Sequence, residues 1–157
     1  MCTPIAVSAR VVGSTRGSLI ESLESRTLLS ADLTAQFVRG APGTFPPGQI
    51  GSAALRVTNV GDSAAIGQAR IDLYASTVPT ISPAATQLTT STVNLRLRPG
   101  ASIVLRPTYP TPSNLPDAEY FTIADVEAQT FTDANPSNNQ VASRYVTEIV
   151  PPVWQRT

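Results

Sequence analysis

A chain of 157 residues with 41% hydrophobic content has the size of one domain built on one core. Eleven acidic and eleven basic residues cancel, and all the basic ones are Arg; this balance argues against the net basic face that grips a phosphate backbone. There is no His and only one Cys, which removes the commonest general base, any intrachain disulfide and any Ser-His nucleophile.

Residues 1–31 are rich in Ser, Thr and Arg and lack the unbroken apolar run of roughly 7 to 15 residues that a signal peptide needs. No stretch of the chain reaches the roughly 18 apolar residues of a membrane span. Cys2 follows only Met1, without the apolar segment that precedes a lipidated cysteine, and reads as a free thiol in a disordered leader. Ser18 and Glu21 stand in capping-box spacing, and a short, marginal helix there puts Ile20, Leu23, Thr27 and Leu28 on one face.

From Leu33 the pattern changes to strict alternation. Leu33, Ala35 and Phe37 predict a first strand, which the Pro- and Gly-rich run 39–48 breaks. In 49–60, Ala53, Leu55 and Val57 face a core and Ser52, Arg56 and Thr58 face out, with Asn59 to Asp62 as the turn. Gly67, Ala69, Ile71, Leu73 and Ala75 point inward along the next strand, opposite Gln68, Arg70, Asp72 and Tyr74. Residues 76–85 form an irregular connection held open by Pro79 and Pro83. Val93, Leu95 and Leu97 resume the alternation up to a turn at Pro99-Gly100, and Ile103 and Leu105 continue the core pattern beyond it. Three prolines in 109–117 make a loop over the end of the fold. Tyr120, Ala124 and Val126 on one face, with Phe121 and Ile123 on the other, predict a central strand covered on both sides. Val141, Tyr145, Val146 and Ile149 complete an all-β, immunoglobulin-like (fibronectin type III-like) antiparallel sandwich of about seven strands in Greek-key order.

Four groups of residues have chemical potential. Asp133, Asn135 and Asn138 offer oxygen ligands for a weak calcium site, although Asn and Asp in such a loop, Asn138 and Asn139 above all, more often fix the turn. Asp125 and Glu127, two apart on one strand face, have the residue types of a glycosidase pair but no visible cleft. Arg96, Arg98 and Arg106 flank the Pro99-Gly100 turn and offer an anionic-ligand patch, or simply a solvated face. Tyr74, Tyr109 and Trp154 are the candidates for a carbohydrate platform. No catalytic residue, cofactor or metal ligand is assigned.

Two stretches resemble known families. Ile20 to Leu33, with Leu23, Glu24, Arg26, Leu28, Leu29, Ser30 and Ala31 matching, is similar to the LEPR-XLL segment at the start of exported or surface proteins of planctomycetes and related bacteria. Ser25 stands where that family has Pro. The resemblance implies a sorting role. Asp32-Leu33, Val57-Thr-Asn-Val-Gly-Asp62, Leu73-Tyr-Ala-Ser76, Leu97-Arg-Pro-Gly-Ala-Ser102 and Asp133-Ala-Asn-Pro-Ser-Asn-Asn139 resemble, in order, the motifs of CARDB, a cell-adhesion-related domain of bacterial surface proteins. Pro136 and Thr77-Val78 replace acidic residues of that pattern, which disfavours calcium. The resemblance implies a leader at 1–31, a sandwich at 32–149 and a tail at 150–157. It implies a non-catalytic adhesion or binding module of an exported or cell-surface protein, with a protein or polysaccharide at the cell surface as partner. The alternative is a structural spacer or assembly module without its own ligand.

Overall fold

The computed structural model describes residues 29–39, 44–45 and 47–149. Among them the chain forms β1 (Leu33–Arg39), β2 (Thr44–Phe45), β3 (Ile50–Ser52), β4 (Ala54–Asn59), β5 (Ala65–Ser76), β6 (Thr86–Leu97), β7 (Ser102–Leu105), β8 (Thr108–Pro110), β9 (Glu119–Ala128) and β10 (Gln140–Ile149). A single 3-10 turn, Pro136–Asn138, precedes β10.

One sheet has the order β1-β4-β7 and the other β2-β10-β9-β5-β6, while β3 pairs with β8. Because β3 leads into β4 and β8 follows β7, that pair prolongs the three-stranded sheet past the interruptions at Ala53 and Arg106-Pro107. The result is two layers. After the β5–β6 hairpin the chain crosses to β7 in the opposite layer and returns as β9 beside β5, the Greek-key path of an immunoglobulin-like sandwich. The crossover from β6 to β7 turns on Gly100, whose φ of 76° follows Pro99 as a type II turn requires, with Ala101 N–H donating to Arg98 O at 2.9 Å.

The core lies between the layers. Leu33, Leu55 and Val57 from one sheet meet Ile71, Leu73, Leu95, Ala124 and Val126 from the other. Leu33, Leu55 and Leu73 are wholly buried, and truncating any of them to Ala should cost about 2–5 kcal/mol. Strand β9 is central, between β10 and β5, and is covered on both faces, since Ile123 on the outer side is as buried as Ala124 on the inner. At its start Tyr120 is buried and its hydroxyl donates to Pro116 O at 3.0 Å, the tyrosine corner that pins the β8–β9 crossover in immunoglobulin-like domains.

Three details differ from the alternation pattern. Ile103 shares the core-facing side with its partner Val57, yet is 39% exposed because β7 is an edge strand. Strand β6 begins at Thr86, well before Val93, since Thr- and Ser-rich residues hold an extended edge without an apolar period. Within the run 39–48, Thr44 and Phe45 pair with Glu148 and Ile149 in parallel, so the larger sheet has one parallel edge.

Candidate functional site

Two groups of the residues singled out by sequence come together, one at the chain-entry end of the sandwich and one on the outer face of the larger sheet. At the entry end, Asn59 closes β4 with its side chain wholly buried. Its Oδ1 accepts from Asp32 N–H (3.2 Å) and Gly61 N–H (3.1 Å), and its Nδ2 donates to Ser63 O (2.7 Å) and Leu97 O (3.0 Å). All its hydrogen-bonding capacity goes to backbone from three segments, so it joins β1, β4 and β6. Gly61 lies so close under the entering chain that a Cβ there would sit 2.3 Å from Ser30 O. Ser30 N–H donates to Asp62 Oδ1 at 2.8 Å and Ala31 is 3% exposed, so the last residues before β1 pack with the sandwich.

Asp133 joins the same end from the β9–β10 loop. Its Oδ2 accepts from Leu33 N–H (3.1 Å) and from Asn139 Nδ2 (2.9 Å), and its Oδ1 accepts from Asn135 N–H (2.9 Å). Asn138 Nδ2 donates to Asp32 Oδ1 at 2.9 Å. Asn135 Oδ1 accepts from Ser137. The loop is thereby clamped to the start of β1, a role local reasoning places on Asn139 and backbone near β10. Asn139 instead bonds a carboxylate, and the backbone is held by Asp133. The Oδ1 atoms of Asn138 and Asn139 are buried and accept no hydrogen bond.

On the outer face, β5 and β9 set Asp72 directly opposite Asp125, and Arg70 opposite Glu127. Asp72 faces away from the core yet is 3% exposed, because Arg70 Nε (2.8 Å), Gln87 Nε2 (3.2 Å) and the Thr90 hydroxyl all donate to it. Arg70 also pairs with Glu127. Asp125 receives no such shell. Partial burial, then the neighbouring Asp72 and Glu127, push its carboxyl above the ordinary value, with Arg70 pulling the other way. The Asp125 and Glu127 pair is therefore divided, one carboxylate held by an arginine and the other held toward its protonated form.

The remaining candidates are not brought together. Tyr109 is 3% exposed and packs in the core, Tyr74 stands on the outer face, and Trp154 lies outside the described residues, so no aromatic platform forms from the two that are described. Arg96 and Arg98 are at the end of β6, whereas Arg106 lies beyond the far end of β7. Of the residues that match the sorting segment, Leu29, 69% exposed, and the packed Ser30 and Ala31 are described; Leu23, Glu24, Arg26 and Leu28 lie outside the described residues, as do Cys2 and the helix pattern from Ser18. Sequence reasoning missed Asn59 and Asp72 as joining residues. The signal for Asn59 was its place two residues before Gly61; for Asp72 there was none, since its covering groups come from other strands.

No family model matches the chain, and neither does any curated protein. Solved structures do. The CARDB domain of the PF1109 protein from Pyrococcus furiosus, crystallised in complex with di-metal ions, superposes with a TM-score of 0.54 at 21% identity, over 80% of this chain and 98% of that one. Its solution structure gives 0.52 at 20% identity, over 77% and 96%. At that identity the likeness is one of fold, and the chain has a CARDB-like immunoglobulin fold.

Proposed function

We propose that this chain is a non-catalytic adhesion or binding module of an exported or cell-surface bacterial protein, its sandwich spanning 32–149 behind a sorting segment within 1–31. The observation that supports this reading is the fold, shared over nearly the full length of a domain named for cell adhesion. The outer face of the larger sheet is the surface we assign to the ligand, because Arg70, Asp72, Tyr74, Asp125 and Glu127 are fixed there on rigid strands. The partner is a protein or polysaccharide of the cell surface.

We do not carry the metal ions of the Pyrococcus domain over to this chain. Both oxygens of Asp133 are occupied by N–H donors, and Asn138 and Asn139 turn their amide nitrogens, not their oxygens, toward the carboxylates. No group of three or more acidic, His or Cys side chains among the described residues is placed to hold a metal. A hard cation needs several converging oxygens, which this loop does not present.

The test is saturable binding of the full chain to isolated envelopes of the producing bacterium. Binding that falls at least tenfold in Glu127→Gln, the exposed partner of Arg70, with a melting temperature little changed is the expected result. An absence of saturable binding would assign the chain to the structural-spacer alternative.

A further inference from the structure

The outer side of the larger sheet carries an apolar patch of its own, apart from the core between the layers. Ile123 of β9 faces outward with Asp125 and Glu127 and is nonetheless wholly buried. Its direct partners on that face are Ala142 of β10 and Tyr74 of β5, while Phe121, two residues back on β9, stands opposite Ser76 and Val146. Ala142 and Ser76 are too short to cover an Ile side chain, so the half-buried rings of Tyr74 and Phe121 are what can cover it; neither belongs to the core between the layers. Diagonal neighbours on a sheet stand about 7–8 Å apart, within reach of aromatic side chains, so the two rings form one apolar surface. The polar groups beside it are unevenly used. Arg70 holds Asp72 and Glu127, whereas Asp125 accepts from the Val126 backbone and, among the described residues, from no side chain. From Asp125 a groove of about 350 Å³ runs past Glu127, Pro136 and Asn139, within the roughly 300–1,000 Å³ of small-ligand clefts. Glu119 and Glu148 pair at the opposite end, so carboxylates outnumber arginines on this side of the sheet.

We propose that this face binds a neutral polysaccharide, with sugar rings laid on Tyr74 and Phe121 and a sugar hydroxyl donating to Asp125; this rests on the assignment of the outer face to the ligand and names what that face takes. A pyranose presents C–H bonds on its flat side and hydroxyls around its rim. The C–H side meets the negative face of an aromatic ring, and the rim supplies the donors that an unfilled carboxylate accepts in charge-assisted bonds. An anionic glycan is disfavoured by the excess of carboxylates. Rings and carboxylate stand on neighbouring strands of one sheet, β5 and β9, so little order has to be imposed when the ligand binds.

The test is binding of the full chain to polysaccharide from the producing bacterium's envelope, freed of protein by protease and separated on an anion exchanger into neutral and acidic fractions. Saturable binding to the neutral fraction should fall at least tenfold in Tyr74→Ala and in Asp125→Ala and be kept in Tyr74→Phe, with a thermal melt of each variant to show that the sandwich is folded. Asp125→Ala and Tyr74→Phe carry the test if Tyr74→Ala uncovers Ile123 and unfolds. Binding confined to the acidic fraction would overturn the proposal, and so would neutral-fraction binding that is unchanged in Asp125→Ala or lost in Tyr74→Phe. Envelope binding that protease abolishes would also overturn it and assign the face to a protein partner, leaving the outer face as the ligand surface. Intact envelopes that bind no chain at all would remove that assignment too.

Discussion

Asp125 shows how one residue can be on the expected face and still have an unexpected chemistry. Alternation along β9 puts it outward, but β5 brings Asp72 opposite, and Arg70 is already shared between Asp72 and Glu127. Its carboxyl is raised, first by burial and then by those two carboxylates, so the folded state binds its proton more tightly than the unfolded chain does. The ionised form therefore opposes folding. That penalty is absent below the ordinary carboxyl value of 3.8 and complete above the raised one, so Asp125 makes stability fall as pH rises through this window. Asp125→Asn should raise the melting temperature at about pH 7 and change it little at about pH 3.5. Thermal melts across that range check this, and an equal gain at both ends would remove the carboxylate pair as the cause.

At the scale of an element, the β9–β10 loop holds the first strand in place. Asp133 reaches a backbone N–H one hundred positions earlier, at Leu33, while Asn138 reaches Asp32. These are charge-assisted bonds in a partly buried setting. Asp133→Asn should destabilise the sandwich by about 1–3 kcal/mol, because one of its three donors would then meet an amide nitrogen. Asn139→Ala is a less direct probe, since it removes an oxygen that accepts no bond along with the nitrogen that donates one. Added calcium should leave the melting temperature unchanged. A calcium-dependent rise in the unmodified protein that disappears in Asp133→Asn would establish the cation site instead. The residues of this loop were legible in the sequence as a turn with clustered oxygens; their partners were not, because they lie at the other end of the chain.

At the scale of the whole molecule, the last residues before β1 are joined to the sandwich. Ser30 and Ala31 pack against Asn59–Asp62, whereas Leu29 is exposed. Replacing Leu23, Leu28 and Leu29 by Ser should therefore lower delivery to the cell surface at least severalfold while leaving the melting temperature of the purified protein unchanged. Cell fractionation beside a thermal melt checks both halves, and undiminished surface signal would remove the sorting role. Within the sandwich, the sequence by itself determined which residues of β1, β4, β5 and β9 face the core, and where Gly100 and the Asn59–Asp62 turn reverse the chain. Period-two alternation and the backbone demands of Pro and Gly are local, and one chain displays them in full. Only the tertiary structure decided that Tyr109 is a core residue, that Asp72 is covered, that β6 extends back through a run of Thr and Ser, and that Asn59 joins three strands. Alternation assigns a side chain to a face but says nothing of its neighbours there, and these neighbours come from strands far apart in sequence.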